Sequence, residues 1–214
     1  MKKLVLSVMA VFTFVLSNAQ TISQSKSSKV QFGIKGGLNI ANLNFSGTEA
    51  PSTKAVPNLN IGAFLEIGIN DKWAFQPELI YSMQGAKFQL IFIEGSTVYD
   101  TRNTFKLHYL NIPLMMKYSE NKIFFEAGPQ IGFLTSAKLK TEVKGFGSDE
   151  QDASEIFKKI DLGLGFGLGY NFTKQLSANF RYNIGLTNIA ESESDDEKVK
   201  NSVFALSLAY KFKN

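Results

Sequence analysis

The chain has 214 residues, a length that suits one domain, and a net charge of +4 to which Lys2 and Lys3 contribute two; that balance gives no reason to invoke nucleic acid. It has no cysteine, which excludes a disulfide framework, a Cys-based metal site and a lipoprotein anchor. Its mean hydropathy of −0.06 excludes a bundle of membrane helices.

Residues 1–19 read as a secretory signal peptide. Lys2 and Lys3 form a positive start, Leu4 to Leu16 an apolar run of 13 residues, and Ser17-Asn18-Ala19 a small and polar stretch with Ala19 at the cleavage position. Thirteen apolar residues are too few to span a bilayer as a helix, which takes about 20. No later stretch approaches about 18 continuous apolar residues, so any further span must be built from strands. Residues 20–29 are polar and read as a disordered lead-in, and residues 30–214 read as one β domain.

From Val30 onward, alternation of period two dominates. Eight strands are predicted in chain order: Val30–Asn42, Leu59–Ile69, Trp73–Lys87, Phe105–Tyr118, Ile123–Leu134, Lys159–Tyr170, Leu176–Leu186 and Ser202–Phe212. Asn70-Asp71-Lys72, Ser119 to Lys122 and Asn171 to Gln175 are tight turns. The links 43–58, 88–104, 135–158 and 187–201 are long. Short turns alternating with long loops are the pattern of a barrel with periplasmic turns and outer loops, and place both mature termini on the periplasmic side.

Parity sorts each strand into two faces. The last strand sets Phe204, Leu206, Leu208, Tyr210 and Phe212 against Val203, Ala205, Ser207, Ala209 and Lys211. The sixth sets Ile160, Leu162, Leu164, Phe166, Leu168 and Tyr170 against Asp161 and four glycines. A soluble sandwich also alternates. Here the apolar faces read as free of charge, and the other faces carry Gly, Ala, Ser and Asn rather than the Lys, Glu and Thr of a wet surface. A Lys or Arg facing lipid costs roughly 2–4 kcal/mol at the bilayer midplane, while small residues suit a narrow lumen. Trp73, Phe75, Tyr118, Tyr170, Phe204, Tyr210 and Phe212 stand near strand ends, where interfacial girdles belong.

The small-residue face carries one charge per strand: Lys35, Glu66, Glu78, Lys117, Glu126, Asp161, Arg181 and Lys211, four of each sign. All but Asp161 lie toward the short turns. Buried charges require partners, and neighbouring strands suggest Lys35 with Glu66, Glu78 with Lys117, Lys117 with Glu126 and Asp161 with Arg181. The expectation is a plug of ion pairs; a gated pore or proton path is the alternative. Pro77, Pro113 and Pro129 fall within strands and suggest bulges, as does a parity slip between Leu107 and Leu110.

Other candidate chemistry is weak. His108 is the only histidine, and nothing beside it in sequence supplies the serine of an acyl hydrolase. Gly163 to Gly169 repeats glycine every second residue within a strand, which fits no nucleotide loop. Glu191 to Glu197 is acidic but lacks calcium-loop spacing and reads as a solvated outer loop. Glu150–Lys158 has a weak helical pattern. No catalytic group, metal or cofactor is expected.

Several stretches together resemble the outer-membrane barrel domain of the Bacteroidetes "porin family", also called PorT-like. They are Phe32 to Asn39, Gln76 to Gly85, Tyr109 to Leu114 with Lys117-Tyr118, Ala127-Gly128-Pro129, Asp161 with its glycine series, and Arg181-Tyr182 with Gly185-Leu186. Asn111 departs from the family, which often carries Glu there. The resemblance implies an all-β, eight-stranded antiparallel up-and-down transmembrane β-barrel of OmpA/OmpX-like architecture, located in the outer membrane. It also accounts for the prolines. It does not imply transport, although one relative serves a secretion system. Expected partners are outer-membrane lipid and lipopolysaccharide, the barrel assembly machinery during insertion, and secretion-system or surface partners reached through the four outer loops. A structural or interaction barrel is the leading reading; a small channel, a secretion accessory or a lipid-modifying enzyme are the alternatives.

Overall fold

The computed structural model describes residues 30–46, 52–94, 97–143, 147–191 and 198–213. The expected signal peptide, the lead-in and residues 192–197 of the acidic run lie outside them. Nine strands form: β1 (Val30–Ser46), β2 (Thr53–Gly68), β3 (Trp73–Glu94), β4 (Thr97–Glu120), β5 (Ile123–Val143), β6 (Gly147–Asp152), β7 (Ile160–Asn171), β8 (Leu176–Gly185) and β9 (Lys198–Lys211). All pairings are antiparallel, and β4 also pairs with β5, so eight strands close on themselves. The ninth, β6, extends a hairpin with the far end of β5.

Closure carries a definite stagger. From Val30 the register runs through Ile67, Phe75, Met116, Ala127, Phe166, Tyr182 and Phe204 and returns to β1 at Ile40, ten residues further on. Strands in such a barrel tilt by about 35–45°. Outward-facing residues are apolar and exposed, with Leu38 at 56%, Ile61 at 66% and Leu206 at 58%. A soluble monomer rarely exposes so continuous an apolar surface. At the turn end, Trp73 packs on Tyr118, Phe32 on Phe212 and Tyr170 on Phe172.

The tight turns are built by side chains that replace ladder bonds. Asn70 Oδ1 accepts from the backbone of Lys72 and Trp73, and Thr173 Oγ1 from Gln175 and Leu176. At the other end the strands are longer than the alternation predicts. The links read as 88–104 and 135–158 are largely strand, in the hairpins β3–β4 and β5–β6. The helical pattern at Glu150–Lys158 gives way to the end of β6 and a turn.

Pro77, Pro113 and Pro129 produce no bulge. Pro77 and Pro113 border gaps in the ladders that leave register unchanged. Nor does parity slip in β4. Leu107, Tyr109, Asn111, Met115 and Lys117 all point inward, so Lys106 and His108 face outward and the outward faces are not free of charge along their whole length. A bulge does fall opposite His108 and Tyr109, but its extra residue is on the partner strand. Thr135 is the extra residue in β5, and a further residue is inserted in β2 between Ala55 and Asn60. Opposite the second bulge, Gly85 has φ +136°, and a Cβ there would lie 1.9 Å from the Phe105 carbonyl oxygen. Gly85→Ala is expected to cost about 1–3 kcal/mol, read as a lower urea midpoint at unchanged slope; an unchanged midpoint contradicts it.

Candidate functional site

The lumen is filled in three layers. Toward the turns, Arg181 reaches across the barrel from β8 to Glu78 on the opposite strand, β3. Its Nη1 and Nη2 donate to the two carboxylate oxygens at 2.8 and 2.7 Å. Its Nε donates to Glu126 Oε1 at 2.7 Å, which also accepts from Asn179. Lys35 Nζ stands 3.3 Å from both Glu78 oxygens, and Gln76 donates to Glu78 at 2.7 Å. Nearer the turns, Lys117 and Lys211 each donate to Glu66 at 2.8 Å, and Lys117 Nζ lies 3.9 Å from the Phe124 ring centroid. The alternate glycines of β7 make this space: a Cβ on Gly167 would sit 2.8 Å from Glu126 Oε1, and one on Gly169 would overlap Phe124.

The middle layer is neutral. Asn39 donates to Ser82 and to the Met83 carbonyl, Asn60 donates to Asn39, and Ser207 donates to Asn60. The layer toward the hairpins is apolar. Leu43, Ala86, Leu107, Tyr109, Leu134, Ala137 and Val199 of the wall enclose Ala153, Phe157 and Ile189 from the connecting segments. Those segments are tied down through the backbone, Ala153 to Ala137, Lys158 to Ile189, Ile189 to Val199 and Glu191 to Ile156. Two lumenal cavities measure about 30 and 10 Å³, room for a water or so each.

All eight charges singled out in the sequence are inward and at least partly buried, but none of the four suggested pairs is an ion pair. Each pair that does form skips at least one strand: Lys35–Glu78, Arg181–Glu78, Arg181–Glu126, Lys117–Glu66 and Lys211–Glu66. Stagger and tilt explain the difference. Inward side chains converge on the axis, and residues opposite in register stand at different heights. Lys117 and Glu126 are register partners, yet Lys117 turns to Glu66. Among the described residues Asp161 pairs with no cation; it accepts from Asn201 at 2.8 Å and Thr187 at 3.0 Å, below the apolar cap. The cap itself was missed in the sequence reading. Phe157 and Ile189 are apolar residues inside links read as polar loops, and that is the one signal that marked them.

His108 lies on the outward face. Its Nδ1 is 2.7 Å from the Tyr81 hydroxyl, and its register partner is Ser136. Among the described residues no hydrogen bond joins Ser136 to His108, and no carboxylate orients the imidazole. No group of three or more potential metal ligands occurs among them either.

The model of the family "Outer membrane protein beta-barrel domain" matches residues 18–191. The chain belongs to this family of outer-membrane β-barrels. Its members' shared fold agrees with the closed sheet described above. No curated protein matches the chain. Among solved structures it is similar to Ail, the attachment invasion locus protein of Yersinia pestis, at 17% identity and a TM-score of 0.47, covering 86% of this chain and 99% of that one. Neisserial surface protein A matches at 12% and 0.43, covering 86% and 99%. OprG of Pseudomonas aeruginosa matches at 16% and 0.42, covering 88% and 98%.

Because Arg181 bridges two buried carboxylates, and is the cation paired with Glu126, Arg181→Leu is expected to destabilise the refolded barrel by about 3–5 kcal/mol. Adding Glu126→Gln, which removes the carboxylate left without its cation while Glu78 keeps Lys35, recovers part of that loss. Urea titration in detergent measures both, and a single-variant cost below about 1 kcal/mol contradicts the assignment.

Proposed function

We propose that the chain is exported by its first 19 residues and inserted as a closed outer-membrane barrel. It works as a scaffold that holds rigid hairpins at the cell surface, not as a conduit or an enzyme. The observation that carries this reading is the sealed lumen: a cross-lumen ion-pair network, a hydrogen-bonded amide belt and an apolar cap, with voids of about 30 and 10 Å³ between them. A solute path needs both the cap and Arg181 displaced. Against catalysis stands the setting of His108, held by a phenol and not by a carboxylate.

In this reading the short turns and both mature ends face the periplasm, and the hairpins β3–β4 and β5–β6 face outward. The PorT-like Bacteroidetes relationship rests on the sequence stretches given above. Barrel assembly machinery acts on the chain during insertion, and outer-membrane lipid and lipopolysaccharide surround it. Surface or secretion-system partners are reached through the hairpins, and nucleic acid is not a partner.

Planar bilayers test the reading against its nearest rival, a small channel. The refolded protein is expected to give no reproducible single-channel steps across the range of potentials a bilayer withstands. Steps of fixed amplitude, abolished when Arg181 is replaced, would replace the scaffold with a gated pore.

A further inference from the structure

We infer that the outward face of the β2–β6 hairpin region is a binding surface for a phosphate-bearing lipid headgroup of the outer leaflet. This rests on the orientation proposed above, with the hairpins on the outer side.

The register assembles the face in rows. One row is Lys54, Lys87, Thr104, Lys140 and Glu150; the next toward the hairpin tips is Gln89, Arg102, Glu142 and Ser148; the next toward the membrane is Gly85, Lys106, Lys138 and Asp152. All of these but Gly85, Ser148 and Asp152 line one concavity of about 1210 Å³. It holds six cations, Lys54, Lys87, Arg102, Lys106, Lys138 and Lys140, against Glu142 and Glu150, with Asp152 at the margin. The two lining carboxylates are already engaged, Glu150 by Lys106 and Lys138, and Glu142 by Lys140. Hydrogen bonds from Lys106 and Lys138 hold the Glu150 carboxyl down at about 2, so it stays charged. A cationic excess is left on Lys54, Lys87 and Arg102.

Two features say that this face is built. Lys54 stands directly opposite Lys87, and Lys106 opposite Lys138; like charges opposed across a ladder weaken it. Both bulges also serve the arrangement. In β5 the inward residues are even-numbered up to Leu134 and odd-numbered from Ala137, so the bulge at Thr135 turns Lys138 and Lys140 outward. In β2 the bulge sets the exposed Lys54 opposite Lys87 while Val56 stays buried. Bulges re-aim side chains in this way.

The position selects the occupant. One register row below His108 and Ser136, the outward residues are Ile61, Tyr81, Leu110 and Phe133, part of the apolar wall. From Leu110 to Lys106 is four residues, about 13 Å along a strand. Apolar wall, then Tyr81, Met83 and His108, then a concave cationic face, is the sequence that an acyl chain, an interface and a phosphorylated headgroup would meet. Lysine and arginine supply the charge-assisted donors that phosphate oxygens accept.

The test uses the whole chain refolded in neutral detergent, with bisphosphorylated lipid A as the probe and native mass spectrometry as the readout. Lipid A is expected to bind, with about tenfold loss of affinity when its phosphates are removed enzymatically or when Lys87→Glu and Arg102→Glu are combined. Lys87→Arg with Arg102→Lys retains binding. Equal affinity for dephosphorylated lipid, or for the charge-reversed variant, overturns the inference. So does full displacement by millimolar inorganic phosphate or by heparin, which would make the site one for soluble anions. Gel mobility before and after boiling separates the two levels: a retained shift with no lipid binding defeats this site alone, and a lost shift in the parent chain defeats the barrel reading.

Discussion

Closure with a ten-residue stagger is the constraint on which the rest of this molecule depends. A sheet surrounded by lipid has no water for its edges, so its last strand must find its first. The number of strands and the stagger together set the width of the lumen. At eight strands that space admits side chains and little else. Which inward residues meet is then a matter of height along the axis, not of strand adjacency. Arg181 finds Glu78 on the opposite wall for this reason, and Glu66 draws lysines from β4 and β9.

Much of this was legible in the sequence. Alternation located the eight barrel strands, the Asn- and Thr-containing turns marked one end, and parity placed every lumenal charge on the correct face. Partner choice was not legible, because a linear reading holds no information on stagger. Strand length was not legible either. Thr97 to Thr104 is polar and reads as a loop, but as the second arm of a long hairpin it pairs with β3 along its whole length. Leu107 seemed to break parity because its side chain, though inward, is apolar. It belongs to the cap, and a cap made by Phe157 and Ile189 from distant segments leaves no local signature.

The layers of the lumen follow one rule with three solutions. Where charges are present they are bound in multiples, so that no carboxylate of the network rests on a single donor. Where they are absent, Asn39, Asn60, Ser82 and Ser207 hydrogen-bond to one another. At the mouth the chain packs mainly apolar side chains around Phe157 and Ile189. Asp161 sits at the boundary with only neutral donors. The interior is thereby spent on holding the barrel shut, and the surface left for recognition is the outside of the extended hairpins.

The central claim is that lipid lies outside this wall and packed protein inside it. Because the chain has no cysteine, single cysteines carrying a nitroxide can be walked along β9 in lipid vesicles from Val203 to Tyr210. Collision with oxygen should be high at Phe204, Leu206, Leu208 and Tyr210, and low at Val203, Ala205, Ser207 and Ala209. The latter set should also be shielded from a water-soluble nickel complex. Free collision of that complex with labels at Ala205 and Ser207 would mean a water-filled lumen and would contradict the account.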